Sequence, residues 1–170
     1  MRKRTSLLMH CCSGAAAVEM ALVTPLMLIL MFGSFELGNY FLDNHVVAKA
    51  VRDGARYAAR RGFGEYSCAA ASADVIDKTR NLTRTGQVWN GGVARLPGWN
   101  DPATITISVS CNTTGNSGGG FAGVYEAMSG GAPVVTVTAA VPYSSLFNSV
   151  GFSSSNLILR GRAQSPVLGI

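Results

Sequence analysis

Few side chains in this sequence are of a kind that does chemistry, and their spacing narrows what they can do. Gly14 closes a short basic head, MRKRTSLLMHCCSG, and opens a long apolar run in which Glu19 is the lone charge. Glycine permits the close backbone approach that a peptidase active site needs. A cut after Gly14 would free an amine on Ala15, and one helical turn brings positions i and i+4 together, so that amine can pair with Glu19. An acidic group near a bilayer centre costs about 2.5–3.5 kcal/mol, less toward the edge, and so calls for a partner. The plainer readings are a flexible glycine ahead of a helix and a glutamate that snorkels to the interface. Of four cysteines, Cys11 and Cys12 lie in the head and Cys68 and Cys111 far downstream, with no CxxC pair and no companion histidines. That is no metal spacing. In an oxidising compartment Cys68 and Cys111 are candidates for one disulfide, the alternative being two separate buried thiols. Gly115-Asn-Ser117-Gly-Gly119 matches the GxSxG pattern, yet a Gly-rich loop follows it and the only histidines are His10 and His45. A nucleophilic serine needs a strand-to-helix turn and a histidine base. The triple glycine Gly118 to Gly120 lacks the Lys-Ser/Thr of a phosphate loop. The chain reads as a non-enzyme without cofactor, metal or small-molecule substrate.

The element that must position Gly14 and Glu19 is a helix. Ala15 to Phe35 is 21 residues of apolar sequence, and at ~1.5 Å per residue it spans ~30 Å, the hydrocarbon thickness of a bilayer. Hydrophobic residues make up 48% of the chain and charged residues 14%, a balance that fits a membrane-inserted segment better than a disordered or ordinary soluble chain. Tyr40 and Phe41 stand where aromatic interface anchors sit. Pro25 removes the hydrogen bond to the Ala21 carbonyl and tends to kink the helix, which membrane helices tolerate. Three export routes compete. A secretory signal needs a small-residue site after the apolar core, and none follows Phe35 closely. A lipoprotein signal would place the core before Cys11 or Cys12, whereas here it follows. The third route removes a leader ahead of the apolar run, which then stays as a helix. Arg2, Lys3 and Arg4 predict a cytoplasmic N-terminus.

The net charge of +5 is largely local, because residues beyond Gly14 carry 11 basic and 9 acidic side chains. Nucleic-acid binding, which wants a basic face on a folded domain, is not expected. The helix is predicted to continue to about Arg61. On its projection Lys49, Arg52, Arg56 and Arg60 form one stripe, while Val47, Ala50, Val51, Gly54, Ala55 and Ala58 lie opposite. Ala50, Gly54 and Ala58 recur every four residues, a spacing that lets two backbones approach closely. The small face is expected to pack on the C-terminal domain or a neighbouring helix. The basic stripe is either solvated or a contact for anionic lipid headgroups or an acidic partner.

Gly62-Phe63-Gly64 breaks the long helix. Ser72 to Arg84 reads as a second helix with Val75, Thr79 and Leu82 on one face and Gly86 as its stop. Asn90 to Pro102 reads as loop. Thr104 to Cys111 alternates apolar and polar residues as a half-buried strand does, Asn112 to Gly123 is loop, and Pro133 to Pro142 and Asn156 to Gln164 are further strands. The expected fold class is α+β: a long N-terminal helix, then a small domain with one more helix and a three- to four-stranded antiparallel sheet. The segments are 1–14 as leader, 15–61 as membrane-spanning and amphipathic helix, and 62–170 as exported domain.

Gly14-Ala-Ala-Ala-Val-Glu19 ahead of an apolar run resembles the cleavage motif of type IV prepilins. With Pro25, Glu36 and the later Asp53-Gly-Ala-Arg-Tyr-Ala-Ala59, the stretch from Gly14 to Ala59 resembles the TadE-like family of tight-adherence pilus systems. The resemblance implies cleavage between Gly14 and Ala15 by a prepilin peptidase and pairing of the new N-terminus with Glu19 of a neighbouring subunit. It implies a minor pseudopilin of the bacterial inner membrane, N-terminus cytoplasmic and domain periplasmic. The partners it implies are other pilins, the assembly platform and membrane lipids. The alternative is an unprocessed, membrane-anchored scaffolding or binding protein.

Overall fold

The computed structural model describes residues 12–112, 123–126, 130–151, 154 and 156–170. The order is α1 (Cys12–Ala59), α2 (Ala73–Thr85), β1 (Ile105–Asn112), β2 (Ala132–Pro142) and β3 (Ile158–Pro166), with short 3-10 turns between. The fold is α+β, as the sequence predicts. The chain falls into two units, the first ending at Asn39 and the second running from Tyr40 to Ile170.

In the first unit α1 begins in Ala-, Leu- and Met-rich sequence of high helix propensity and runs through Pro25 as helix. Its large side chains are bare: Val18, Met20, Leu22, Leu26, Ile29 and Leu30 are all exposed. The hydroxyls of Thr24 and Ser34 turn back to donate to the carbonyls of Met20 and Leu30, at 2.6 and 2.7 Å. Such internal satisfaction is what an apolar solvent demands of a polar side chain. Among the described residues this is the one helix long and apolar enough to cross a membrane.

In the second unit β2 is the central strand, antiparallel to β1 on one side and β3 on the other. Ile105 opposes Ala139, and Ala139 opposes Gly161. Alternation sends Ile105, Val109, Val135, Val137, Val141 and Leu159 into the core, while Thr106, Ser108, Ser110, Arg160, Arg162 and Gln164 face solvent. Both helices cover the apolar face. A Cβ placed on Gly161 would meet Val47 and Val51 of α1 at 3.0 and 3.2 Å, so the helix lies directly on β3. Arg80 of α2 donates from Nε to the Ile105 carbonyl, capping part of the β1 edge.

α2 starts at the Ser72 cap, whose hydroxyl accepts from the Val75 amide, and stops at Gly86 in left-handed backbone. Its buried face is Val75, Thr79 and Thr83; Leu82, expected there, is half-buried. α1 ends at Ala59 rather than near Arg61 because the chain tightens there, the Arg60 and Arg61 amides donating to the carbonyls three residues back, Tyr57 and Ala58, at 3.2 and 3.0 Å, and two longer-range bonds fix this end. The Tyr66 hydroxyl donates to the Ala58 carbonyl, and the Leu168 amide to that of Ala59 at 2.7 Å. Burial pushes the Tyr66 hydroxyl up to about 12, which keeps it a donor. The third strand is shifted from the expected 156–164 to Ile158–Pro166: the Leu157 amide closes a turn onto the Ser154 carbonyl at 3.0 Å, while its carbonyl takes the Tyr143 amide in register with the ladder that begins at Ile158.

Cys68 and Cys111 are joined by a disulfide between the turn ahead of α2 and the end of β1, with Cα atoms 5.1 Å apart and a sequence separation of 43. Closing a loop of that length stabilises by about 4 kcal/mol in the chain-entropy account. Replacing both cysteines with serine should therefore lower the melting temperature of the second unit by roughly 10–20 °C, read by the emission of buried Trp99 with and without reductant.

Candidate functional site

Gly14, Ala15 and Glu19 lie on successive turns at the start of α1, all exposed. A Cβ on Gly14 would meet nothing within 4 Å, so the backbone there is open to another molecule. Ala15 and Glu19 are one helical turn apart. Glu19 forms no ion pair among the described residues, and its carboxylate stands among exposed apolar side chains. Residues 1–11 and the Gly115–Gly119 segment with Ser117 lie outside the described residues.

Further along α1 the two faces divide as the projection predicts. Val47, Ala50, Val51, Ala55 and Ala58 are each 2% exposed or less, and Lys49, Arg52, Arg56 and Arg60 are exposed. The Ala50, Gly54, Ala58 stripe is consumed within the unit. Gly54 sits against α2, where any Cβ would fall on the Thr83 hydroxyl. Around Arg56 and Arg60 a shallow hollow of about 310 Å³ is framed by Asp53, Tyr57, Arg61 and Leu82. The Arg61 guanidinium covers the Tyr57 ring at 4.7 Å, a cation–π contact. None of the four stripe cations is ion-paired among the described residues.

The segment Asp53 to Ala59 proves to be a set of structural contacts rather than a reactive site. Asp53 accepts from Arg95 Nη1 at 3.1 Å, and Arg95 also reaches the Leu82 carbonyl at 3.4 Å. Both partners are mostly shielded, and charge-assisted hydrogen bonds of this kind are the stronger ones. Gly54 meets α2, Ala55 and Ala58 fill the core, and the carbonyls of Ala58 and Ala59 tie down Tyr66 and Leu168.

Reading the sequence locally misses two anchors. Trp99, inside the predicted Asn90–Pro102 loop, is fully buried and donates from Nε1 to Thr104 Oγ1 at 2.8 Å. Arg95 joins a residue 42 positions away. A tryptophan amid Gly, Pro and Asn is the one available signal, since so large an apolar side chain seldom lacks a use.

Residues 14–56 match the family model described as TadE-like protein. No curated protein and no solved structure shows a significant match to the chain. The match begins at the glycine of the cleavage-type motif and runs along α1 to Arg56. The likeness covers the helical stretch from Gly14 to Arg56 and does not extend into the rest of the chain.

Proposed function

We propose, from the TadE-like identity of residues 14–56, that the chain is a minor pseudopilin of a tight-adherence pilus or related secretion apparatus. The observation that carries this reading is the co-occurrence of that match with an exposed Gly14–Glu19 segment opening a membrane-length helix. In this reading residues 1–14 are a leader, removed by a prepilin peptidase on the cytoplasmic side. Residues 15–61 span the inner membrane and extend beyond it, and 62–170 lie in the periplasm. The Ala15 amine pairs with Glu19 of a neighbouring subunit, Pro25 eases the helix out of the bilayer, and the protein works by assembly rather than by catalysis. Its partners are the peptidase, other pilins, the assembly platform and membrane lipids. The Cys68–Cys111 disulfide accords with an oxidising compartment for the domain.

The test is the N-terminal residue of the protein recovered from its native membrane, beside a Gly14→Ala variant. Ala15 at the start, with processing impaired in the variant, is the expected result. Met1 at the start would instead make the chain an unprocessed anchored scaffold.

A further inference from the structure

The chain has two tryptophans, and they are used oppositely: Trp99 is 0% exposed and Trp89 75%. A single exposed apolar side chain is ordinary on a surface, so what matters at Trp89 is the groups set around it. Trp89 is not on a loose loop. Gly86 closes α2 just before it, and the Gln87 amide donates to Thr85 Oγ1 at 3.2 Å. Asn81 Nδ2 donates to the Val88 carbonyl at 3.3 Å and to Asn90 Oδ1 at 2.7 Å. Both immediate neighbours of Trp89 are thus tied to α2. Arg95 closes the loop from its far end, through its amide to the Arg84 carbonyl and its side chain to Asp53. The backbone that carries the indole is thus anchored, which lowers the ordering cost of binding through this loop.

Beside the ring is a shallow cavity of about 220 Å³ whose polar lining is Asp74, Asp77, Lys78, Asn81 and Asn90. Its charges cancel. Lys78 Nζ is 2.7 Å from Asp74, and Arg80 Nη1 is 3.9 Å from Asp77. The site is therefore no trap for a cation, although an indole flanked by carboxylates would otherwise suit one. It also lacks the apolar, desolvated centre of a protein hot spot. What remains is one flat apolar face rimmed by hydrogen-bonding groups: the Asp77 carboxylate as acceptor, the Asn81 carbonyl oxygen, and the Asn90 amide as donor. A neutral pyranose has the matching form, with an apolar C–H face and hydroxyls around its edge.

We propose that Trp89, with Asp77, Asn81 and Asn90, is a subsite for one neutral pyranose unit of a polysaccharide. The ring stacks on the indole, hydroxyls donate to Asp77 and Asn81 Oδ1, and another hydroxyl accepts from Asn90 Nδ2. The cavity lies below the ~300 Å³ at which pockets for drug-sized ligands begin, so it admits one ring and leaves neighbouring units in solvent. Such a site binds weakly, with a Kd on the order of 1 mM.

The test uses the full chain in a detergent without a sugar headgroup. Tryptophan emission and acrylamide quenching are followed on adding chitotetraose, cellotetraose or maltotetraose. Because Trp99 is in the core, a change in quenching reports Trp89. The expected result with at least one of the three is saturable protection of Trp89 and a blue shift, weakened at least fivefold in Asp77→Asn and in Asn90→Ala. Retention on the corresponding immobilised polysaccharide should be lost in Trp89→Ala, with unchanged Trp99 emission showing that this variant is folded. No protection by any of the three into the tens of millimolar overturns the proposal. So does protection by a lysine-rich peptide but by no sugar, which would make the patch a peptide contact.

Discussion

Gly54→Ala will lower the unfolding midpoint of the 40–170 unit, although alanine is the better helix former. Propensity alone favours the variant by about 0.8–1.0 kcal/mol in a helix interior. Against it stands the seam with α2, where the added methyl would fall on Thr83 Oγ1. That hydroxyl is buried and donates to the Thr79 carbonyl at 2.8 Å, so turning it away breaks a hydrogen bond that water cannot replace. Overpacking costs about 1–3 kcal/mol and the lost bond about 1 kcal/mol more. The sum exceeds the propensity gain, for a net loss of about 1–3 kcal/mol. Gly54→Leu, which demands far more room, should leave the unit unfolded. The decisive variant is Gly54→Ala with Thr83→Ala. Removing the hydroxyl leaves the Thr83 Cβ and the Thr79 Cγ2, 3.4 and 3.5 Å from the new methyl and in ordinary van der Waals contact, so the double variant should regain most of the loss. Denaturant melts followed by Trp99 emission measure all of these. A Gly54→Ala protein more stable than the parent would mean that α1 and α2 are not in close contact.

Glu19→Ala, on the pseudopilin reading, yields a protein that is inserted and cut normally but is not taken into the assembly. The helix itself gains from the change, since the carboxylate stands among exposed apolar side chains and alanine carries no desolvation cost. What is lost is the partner of the Ala15 amine in the neighbouring subunit. Leaving one charge of a shielded pair unmatched costs about 3–5 kcal/mol, which corresponds to a drop in incorporation of roughly a hundredfold or more. Glu19→Asp keeps the charge on a shorter arm and should fall between. Shear-released fibre and membrane fractions, probed for the chain and for its N-terminal residue, separate assembly from processing. Normal incorporation of the Glu19→Ala protein would return Glu19 to the snorkelling role.

The elements that can be read locally are those whose residues answer to one period or one cap. The Thr104–Cys111 alternation marks β1, whose observed bounds are Ile105–Asn112. Ser72 and Gly86 bracket α2, and the four-residue repeat of Ala50, Gly54 and Ala58 marks the face that became buried. Trp99 and the Asp53–Arg95 pair were opaque because their partners lie elsewhere in the chain and leave no local pattern. The start of β3 is set by the turn in which the Leu157 amide bonds the Ser154 carbonyl, and no period in the sequence marks it. Gly14, Ala15 and Glu19 are legible for another reason. Their significance lies in the order of a basic head, a glycine and a charge in an apolar run, and that order needs no tertiary contact to be seen.

The disulfide has a mechanical consequence beyond its effect on stability. If the second unit is loaded between its helix and its C-terminus, the covalent path runs from Cys68 straight to Cys111, 43 positions on, and bypasses the stretch between them that holds α2, the Trp89 loop and most of β1. On the order of 150 Å of contour length, at ~3.5 Å per residue, is thereby withheld from extension. Tension can peel β2 and β3, but it cannot draw out the bypassed stretch until the bond is reduced. A subunit under traction would give way only outside that stretch and would keep α2, with its loop, tethered to β1.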